Sequence, residues 1–119
     1  MARDKGLEEL VHTELASLSG ITEKAMFGGW AWLLRGHLLC GSRADGMLVR
    51  LGKGLDGWAL AIDGVEPMQS QGRAMSGWVR CGPQVYGDDA LRARLLARAV
   101  EFVRTLPPKS TSSARPRSS

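Results

Sequence analysis

Residues 25–34 read AMFGGWAWLL, and the type of structure that the chain adopts depends on this stretch. Apolar and aromatic residues of this kind favour strands, whereas a glycine pair inside a strand marks a bulge or the close approach of another backbone segment. We therefore predict a single strand over 25–34 with either a bulge or a close backbone approach at Gly28 and Gly29. Arg35 and Gly36 follow as a tight hairpin turn, so the chain is expected to reverse direction there.

The residues after this turn continue the antiparallel pattern. Strands are predicted over 37–42 and 47–51, and an Asp-Gly turn joins them into a meander. Two further strands are predicted over 65–69 and 75–81. Because Pro67 removes a backbone N–H from the first of these two, that strand is expected at an edge of the sheet.

Three segments with helical spacing of apolar residues predict the helices. The first covers 7–18, a short second helix covers 55–62, and the third begins at the N-cap Asp88. The expected order is α-β-β-β-α-β-β-α, a two-layer α+β fold with an antiparallel sheet and helices on one face. Residues 1–108 form this domain, and residues 109–119 are expected to be a disordered, basic, serine-rich tail.

The composition is that of a globular domain, with 119 residues, 44% hydrophobic residues and a formal net charge of +4. Lys109, Arg115 and Arg117 lie in the tail, which leaves 13 basic and 12 acidic residues in 1–106. A domain so close to neutral has no strong electrostatic footprint for nucleic acid. No apolar run approaches the roughly 18 residues of a membrane span and no signal segment is recognisable, so we expect a cytoplasmic protein without a membrane partner.

The residues that could act in catalysis or bind a metal are scattered along the chain. Cys40 and Cys81 lie in apolar, strand-like surroundings and are expected to be reduced core residues, with a disulfide or a thiol switch as the alternative. His12 and His37 share no motif with a cysteine or a carboxylate, so neither a metal site nor a cofactor is predicted. Because no nucleophile elbow or phosphate-binding loop occurs, we expect a protein that is not an enzyme.

Three arginines are the first candidate binding residues. Arg50 and Arg80 oppose apolar neighbours on their strands, and together with Arg73 they could present guanidiniums on one sheet face. Such a cluster would suit an anion or an acidic peptide. The alternative is that the arginines are solvated and paired with local acids.

Two tryptophans are the second candidates. Trp30 lies on the first predicted strand and Trp78 on the last. A sheet face that carries tryptophan and arginine could stack nucleobases, as RNA-binding sheets do. The alternative is burial beneath the helices, since large exposed aromatic patches are uncommon on monomers.

Several short motifs follow one another in a fixed order along the chain. They are Met26-Phe27-Gly28-Gly29, Gly36, Cys40-Gly41, Leu48-Val49-Arg50, Val65-Glu66-Pro67-Met68, the run from Gly72-Arg73-Ala74-Met75 to Gly77-Trp78-Val79, and Leu106-Pro107-Pro108-Lys109. In this order they resemble the TfoX/Sxy N-terminal domain family, in the single-domain branch that ends in LPPK. The resemblance covers roughly residues 7–109, and Ala74 departs from it because the family usually has proline there.

The resemblance implies an α+β fold like that of secretion chaperones, and it implies no catalytic residues. It gives weight to Arg50 and Arg73 as structural or binding positions. The longer competence regulators carry a second, helical domain that residues 1–119 do not contain, so their role in activating DNA-uptake genes is not implied. Structural roles are implied for the signature residues Met26, Phe27, Gly28, Gly29, Gly36, Gly72 and Gly77.

Three functions remain open at this point. The first is a non-enzymatic interaction or regulatory module that binds a protein partner or a second copy of itself through the sheet edge at 65–69. The second is a nucleic-acid-binding protein that uses the tryptophan and arginine sheet face together with the basic tail. The third is a binder of a small anionic ligand at Arg50 and Arg73.

Overall fold

The computed structural model describes residues 5–26, 28–70 and 72–107. Its centre is a six-stranded sheet in the order β1-β2-β3-β4-β6-β5, and every neighbouring pair is antiparallel. The strands are β1 (Ile21–Met26), β2 (Gly29–Leu34), β3 (His37–Arg43), β4 (Gly46–Arg50), β5 (Val65–Ser70) and β6 (Arg73–Cys81). The helices are α1 (Lys5–Leu15), α2 (Gly57–Leu60), α3 (Pro83–Tyr86) and α4 (Asp89–Arg104).

The helices cover one face of the sheet, which confirms the predicted two-layer α+β fold. The main core joins buried residues of all four helices to one face of the strands, as Leu95 on α4 and Val49 on β4 illustrate. The opposite face carries a smaller cluster whose members all lie on strands. Its buried residues are Leu48, Met68 and Trp78, with Leu38 and Met75 packed against them.

The prediction of one strand over 25–34 is wrong. Two strands, β1 and β2, occupy this region and pair with each other from Ile21↔Leu34 to Met26↔Gly29. Gly28 lies in the turn between them with φ of +73°, a conformation that glycine adopts without steric cost. The glycine pair therefore reverses the chain, and only the close-approach part of the prediction holds: a Cβ on Gly29 would collide with the Ser42 carbonyl oxygen.

The additional strand and one additional helix change the order to α-β-β-β-β-α-β-β-α-α. The short helix α3 begins at Pro83, in the stretch between the last predicted strand and Asp88, where no helix was predicted. Proline suits the first turn of a helix because its missing N–H would have no helical partner there. The edge position predicted for 65–69 is confirmed, since β5 is the last strand of the sheet.

Other local predictions agree with the structure. Asp88 caps α4, and its side chain accepts hydrogen bonds from the N–H groups of Ala90 and Leu91 at 3.0 and 3.1 Å. Arg35 and Gly36 both have positive φ, as the tight turn between β2 and β3 requires. Phe27 and the predicted tail at 109–119 lie outside the described residues.

Gly77 holds the end of β4 against β6. Its carbonyl oxygen accepts hydrogen bonds from the N–H groups of Leu51 and Gly52, at 2.7 and 3.1 Å. A Cβ at this position would lie 2.6 Å from backbone atoms of Gly52 and Lys53, and φ is +82°. Backbone atoms cannot rotate away as a side chain can, so only glycine fits here.

Replacement of this glycine tests the contact. Gly77→Ala should destabilise the fold by roughly 2 kcal/mol more than Gly72→Ala in urea unfolding, because overpacking adds to the cost of positive φ. Gly72 is a matched control: its φ is +79°, and a Cβ added there would meet no described atom within 4 Å. Equal losses for the two variants would show that the close approach at Gly77 is unimportant.

Candidate functional site

Two of the three candidate arginines are held by internal contacts. Arg80 pairs with the Glu66 carboxylate and donates to the Asp45 carbonyl oxygen at 2.7 Å. Arg50 donates to the Leu38 carbonyl oxygen at 3.2 Å, and its guanidinium lies 5.6 Å from the centre of the Phe102 ring. Both arginines therefore have structural contacts that a ligand would have to replace.

Arg73 lies elsewhere, at the start of β6. It is exposed and pairs across the hairpin with Ser70, whereas Arg50 pairs with Trp78 farther along β6. Arg50 and Arg73 share no contact among the described residues. The geometry therefore gives no support to a joint anion site at these two positions.

The tryptophans do not form a common stacking surface. Trp32 is 1% exposed in the core beneath the helices, and Trp78 is 7% exposed in the cluster on the opposite face. Trp30 is half-buried, and its indole N–H donates to Glu23 at 2.8 Å. The predicted sheet face of tryptophan and arginine is therefore wrong, because Trp30 and Trp78 lie on opposite faces and are largely covered.

Both cysteines are free thiols with no exposed surface, in agreement with the prediction that they are core residues. Burial raises the pKa of Cys81 to about 12, although the nearby Arg80 charge opposes the shift. Burial also raises the pKa of Cys40 well above its ordinary value, because the thiolate would lose its hydration. Thiols with raised pKa values in apolar surroundings are poor nucleophiles.

The histidines each contact one protein group. His12 lies 3.3 Å from the Glu23 carboxylate, and the His37 ring is within hydrogen-bond distance of the Pro107 carbonyl oxygen. Within 5–26, 28–70 and 72–107, no group of three or more histidine, cysteine or acidic residues could hold a metal ion. In the same ranges no helix is long and apolar enough to cross a membrane.

The first strand, β1, forms an open edge of the sheet. The burial pattern places its four central residues, 22–25, in solvent, and its pairing with β2 runs through six consecutive positions without a bulge. In an antiparallel pair, successive residues alternate between those that bond to the partner strand and those whose N–H and C=O point away from it. The phase of this alternation determines which backbone groups are open.

A hydrogen bond just before β1 shows which residues of β1 bond to β2 and which face the open side. The Arg35 N–H donates to the Gly20 carbonyl oxygen at 3.0 Å, and these two residues are opposite one another when the register is extended by one position. The even-numbered residues of β1 therefore bond to β2. Ile21, Glu23 and Ala25 direct their backbone N–H and C=O groups to the open side.

A groove between α4 and the segment that follows β4 does not follow from the sequence patterns. Its volume is about 620 Å³, and we call it the arginine-rimmed groove. The sequence placed Leu55 on a buried helical stripe, but α2 begins only at Gly57, so Leu55 is 56% exposed. The lining residues are Leu51, Leu55, Trp58, Arg94, Arg98, Glu101, Phe102 and Thr105.

Arg92 on α4 is buried although it is charged. It is 7% exposed, and its contacts connect the helices α1, α3 and α4. Its guanidinium contacts Glu14 of α1 at 3.3 Å and Asp89 at 2.9 Å, and it donates to the Tyr86 carbonyl oxygen at 2.8 Å. Glu14 is far from Arg92 in sequence, so spacing within α4 could not reveal this connection to α1.

Comparison with known proteins identifies the family. Residues 13–103 match the model of the TfoX N-terminal domain. Because this range spans most of the 119 residues, the chain belongs to the TfoX N-terminal domain family. Neither a curated protein nor a solved structure matches the chain.

The buried thiols predict a loss of stability in alkali. Each thiol keeps its proton in the folded state but loses it near pH 9 when unfolded, so its stabilising contribution is complete below pH 9 and is lost as pH rises from 9 towards 12. Between pH 8 and 10 the loss should be about 1 kcal/mol per thiol.

The measurement is urea unfolding at pH 8 and pH 10 for the native chain and for the Cys40→Ala, Cys81→Ala double variant. The variant should lose less of its free energy of unfolding over this interval. If both proteins lose the same amount, the thiols do not carry the effect.

Proposed function

We propose that this TfoX N-terminal domain is a non-enzymatic interaction module of a regulatory kind, and that it binds a protein partner by adding a strand at β1. The open, unbroken edge of β1 is the observation that carries the proposal. An exposed edge offers unpaired N–H and C=O groups to a second strand, and such addition is a common mode of peptide recognition. Family membership supports a competence-related regulatory domain at most.

The edge at β5 is less suited to this role, although the sequence favoured it. Pro67 cannot donate a hydrogen bond, and the pairing of β5 with β6 shifts between Pro67 and Gln69. Proline and irregular pairing are two of the devices by which proteins protect an edge. The first strand has neither device, so the proposed docking edge moves from 65–69 to β1.

The charges on β1 favour a different protein over a second copy. In a two-fold pairing of β1 with itself, residues of the same face must lie opposite one another. A two-fold axis near the middle of β1 would therefore place one residue opposite the same residue of the other copy. This residue would be either Glu23 or Lys24. Like charges directly opposite are destabilising, so we propose a partner strand with a basic residue facing Glu23 and an acidic residue facing Lys24.

Other features fit a binding role without catalysis in a reducing compartment. The two thiols are buried and unpaired, which suits the cytoplasmic location that the sequence predicts. No observation favours the nucleic-acid alternative, since its stacking surface is not formed and residues 1–106 are nearly neutral.

A designed peptide tests the proposal. The probe is a fluorescent, extended peptide of alternating threonine and valine that carries lysine opposite Glu23 and glutamate opposite Lys24, measured by anisotropy. Ala25→Pro removes an outward N–H but leaves the bonds between β1 and β2 intact, so it should weaken binding about tenfold.

Ala74→Pro is the matched control, because residue 74 is exposed and the family usually has proline there; it should leave the affinity unchanged. Equal binding by the native chain and Ala25→Pro, or no binding by the native chain, would refute strand addition at β1. A concentration-dependent dimer in light scattering that Ala25→Pro abolishes would instead identify a second copy as the partner.

A further inference from the structure

We propose that the arginine-rimmed groove is a binding site for a small amphipathic anion, a molecule with an apolar aryl or acyl body and one carboxylate group. This site is separate from the docking edge, because Leu51 follows β4 and the strands β2 and β3 lie between β4 and β1. The proposal therefore goes beyond strand addition and does not depend on it.

The floor and one wall of the groove are apolar. Leu51 is buried at the base, and the half-buried rings of Trp58 and Phe102 lie beside it. Leu55 is 56% exposed and is the one large hydrophobic residue that is exposed in the described part of the chain. Apolar surface that stays open around a concavity is typical of a binding site.

Gly52 explains why this wall stays open. Its φ is +104°, and a Cβ there would lie 2.6 Å from the Phe102 ring. The chain therefore passes directly against α4 at this point. The next residues form a turn, in which the Leu55 N–H donates to the Gly52 carbonyl oxygen at 2.9 Å, before α2 begins at Gly57. Leu55 is left in the intervening segment, where it lines the groove without being covered.

Among the described residues, the rim of the groove carries a net positive charge. The Arg94 guanidinium lies 4.9 Å from the centre of the Trp58 ring, and no described carboxylate pairs with it. Arg98 contacts Glu101 at 3.4 Å through one nitrogen, and both side chains are more than half exposed. The lining thus carries two arginines and one glutamate, and exposed pairs of this kind contribute little stability.

This arrangement favours ligands of a particular charge, shape and size. A guanidinium that lies over an indole ring can still donate N–H groups to a ligand, and the guanidinium fork matches the two oxygens of a carboxylate. A volume of about 620 Å³ lies within the range of sites that bind drug-sized molecules. The aryl or acyl body would cover Leu55 and Trp58 while the carboxylate reaches Arg94.

Two ligands of nearly the same shape, one anionic and one neutral, test this site. The probes are 2-naphthylacetate and its neutral amide, 2-naphthylacetamide, titrated by calorimetry and by NMR of the indole N–H signals. The acid should bind at least about fivefold more tightly than the amide, because an ion pair adds to the same apolar contact. The Trp58 signal should shift on binding.

Variants separate the charge from the apolar contact. Arg94→Gln should remove the preference for the acid, whereas Leu55→Ser should weaken both ligands. Arg104→Gln removes an exposed positive charge on α4 outside the groove and should change neither affinity.

Three results would overturn the proposal: equal affinities for the acid and the amide, a preference that survives Arg94→Gln, or no binding of either probe at about 10 mM. The docking edge gives an independent readout. Ala25→Pro should leave the affinity for 2-naphthylacetate unchanged, so failure at one site is distinguishable from failure at the other.

Discussion

The packing of α4 against β3 and β4 is the contact on which the rest of the structure depends. Its buried side contributes Leu95, Leu96, Ala99 and Val103 to the main core. Burial of a leucine or valine side chain in this core stabilises the fold by about 1.5–3 kcal/mol. Asp88 fixes the start of this helix, and Arg92 connects it to α1 and α3. Its remaining flank, with Arg94 and Phe102, becomes a wall of the arginine-rimmed groove.

When helices cover only one face of a sheet, the second face and the two edges stay exposed unless other groups protect them. The second face is closed over Leu48 by side chains of the strands themselves, chiefly Met68 and Trp78. At one edge, β5 has proline and a shifted register. At the other edge, β1 pairs regularly with β2 and has neither protection. This asymmetry between the edges is the reason why β1, and not β5, is proposed as a docking strand.

Much of this architecture could be predicted from the sequence because the relevant patterns are local. Strand-forming stretches separated by turn residues predicted β3, β4, β5 and β6, and the N-cap Asp88 with its helical spacing predicted α4. The order of short motifs also led to the TfoX N-terminal domain family, which the match over 13–103 confirms.

The errors occurred where the local pattern is weak, as in β1, or where the partners are distant in the chain. The strand β1 reads as ITEKAM, in which four exposed residues hide the alternation that a half-buried strand would show. The apolar run after Gly28 then led to the prediction of a single strand over 25–34. Arg92 and the groove arise from contacts between α4 and other elements, and no spacing within one segment encodes them. Likewise, the faces of Trp30 and Trp78 depend on a register that only the folded sheet sets.

Amide hydrogen exchange measured by NMR tests the central claim, that β1 is an open edge with a defined phase. The amides of Thr22, Lys24 and Met26 bond to β2 and should exchange at least about 100-fold more slowly than those of Ile21, Glu23 and Ala25. This alternation should be visible in the isolated domain. Slow exchange at all six positions would show that the edge is already covered, and uniformly fast exchange would show that β1 is not paired as described.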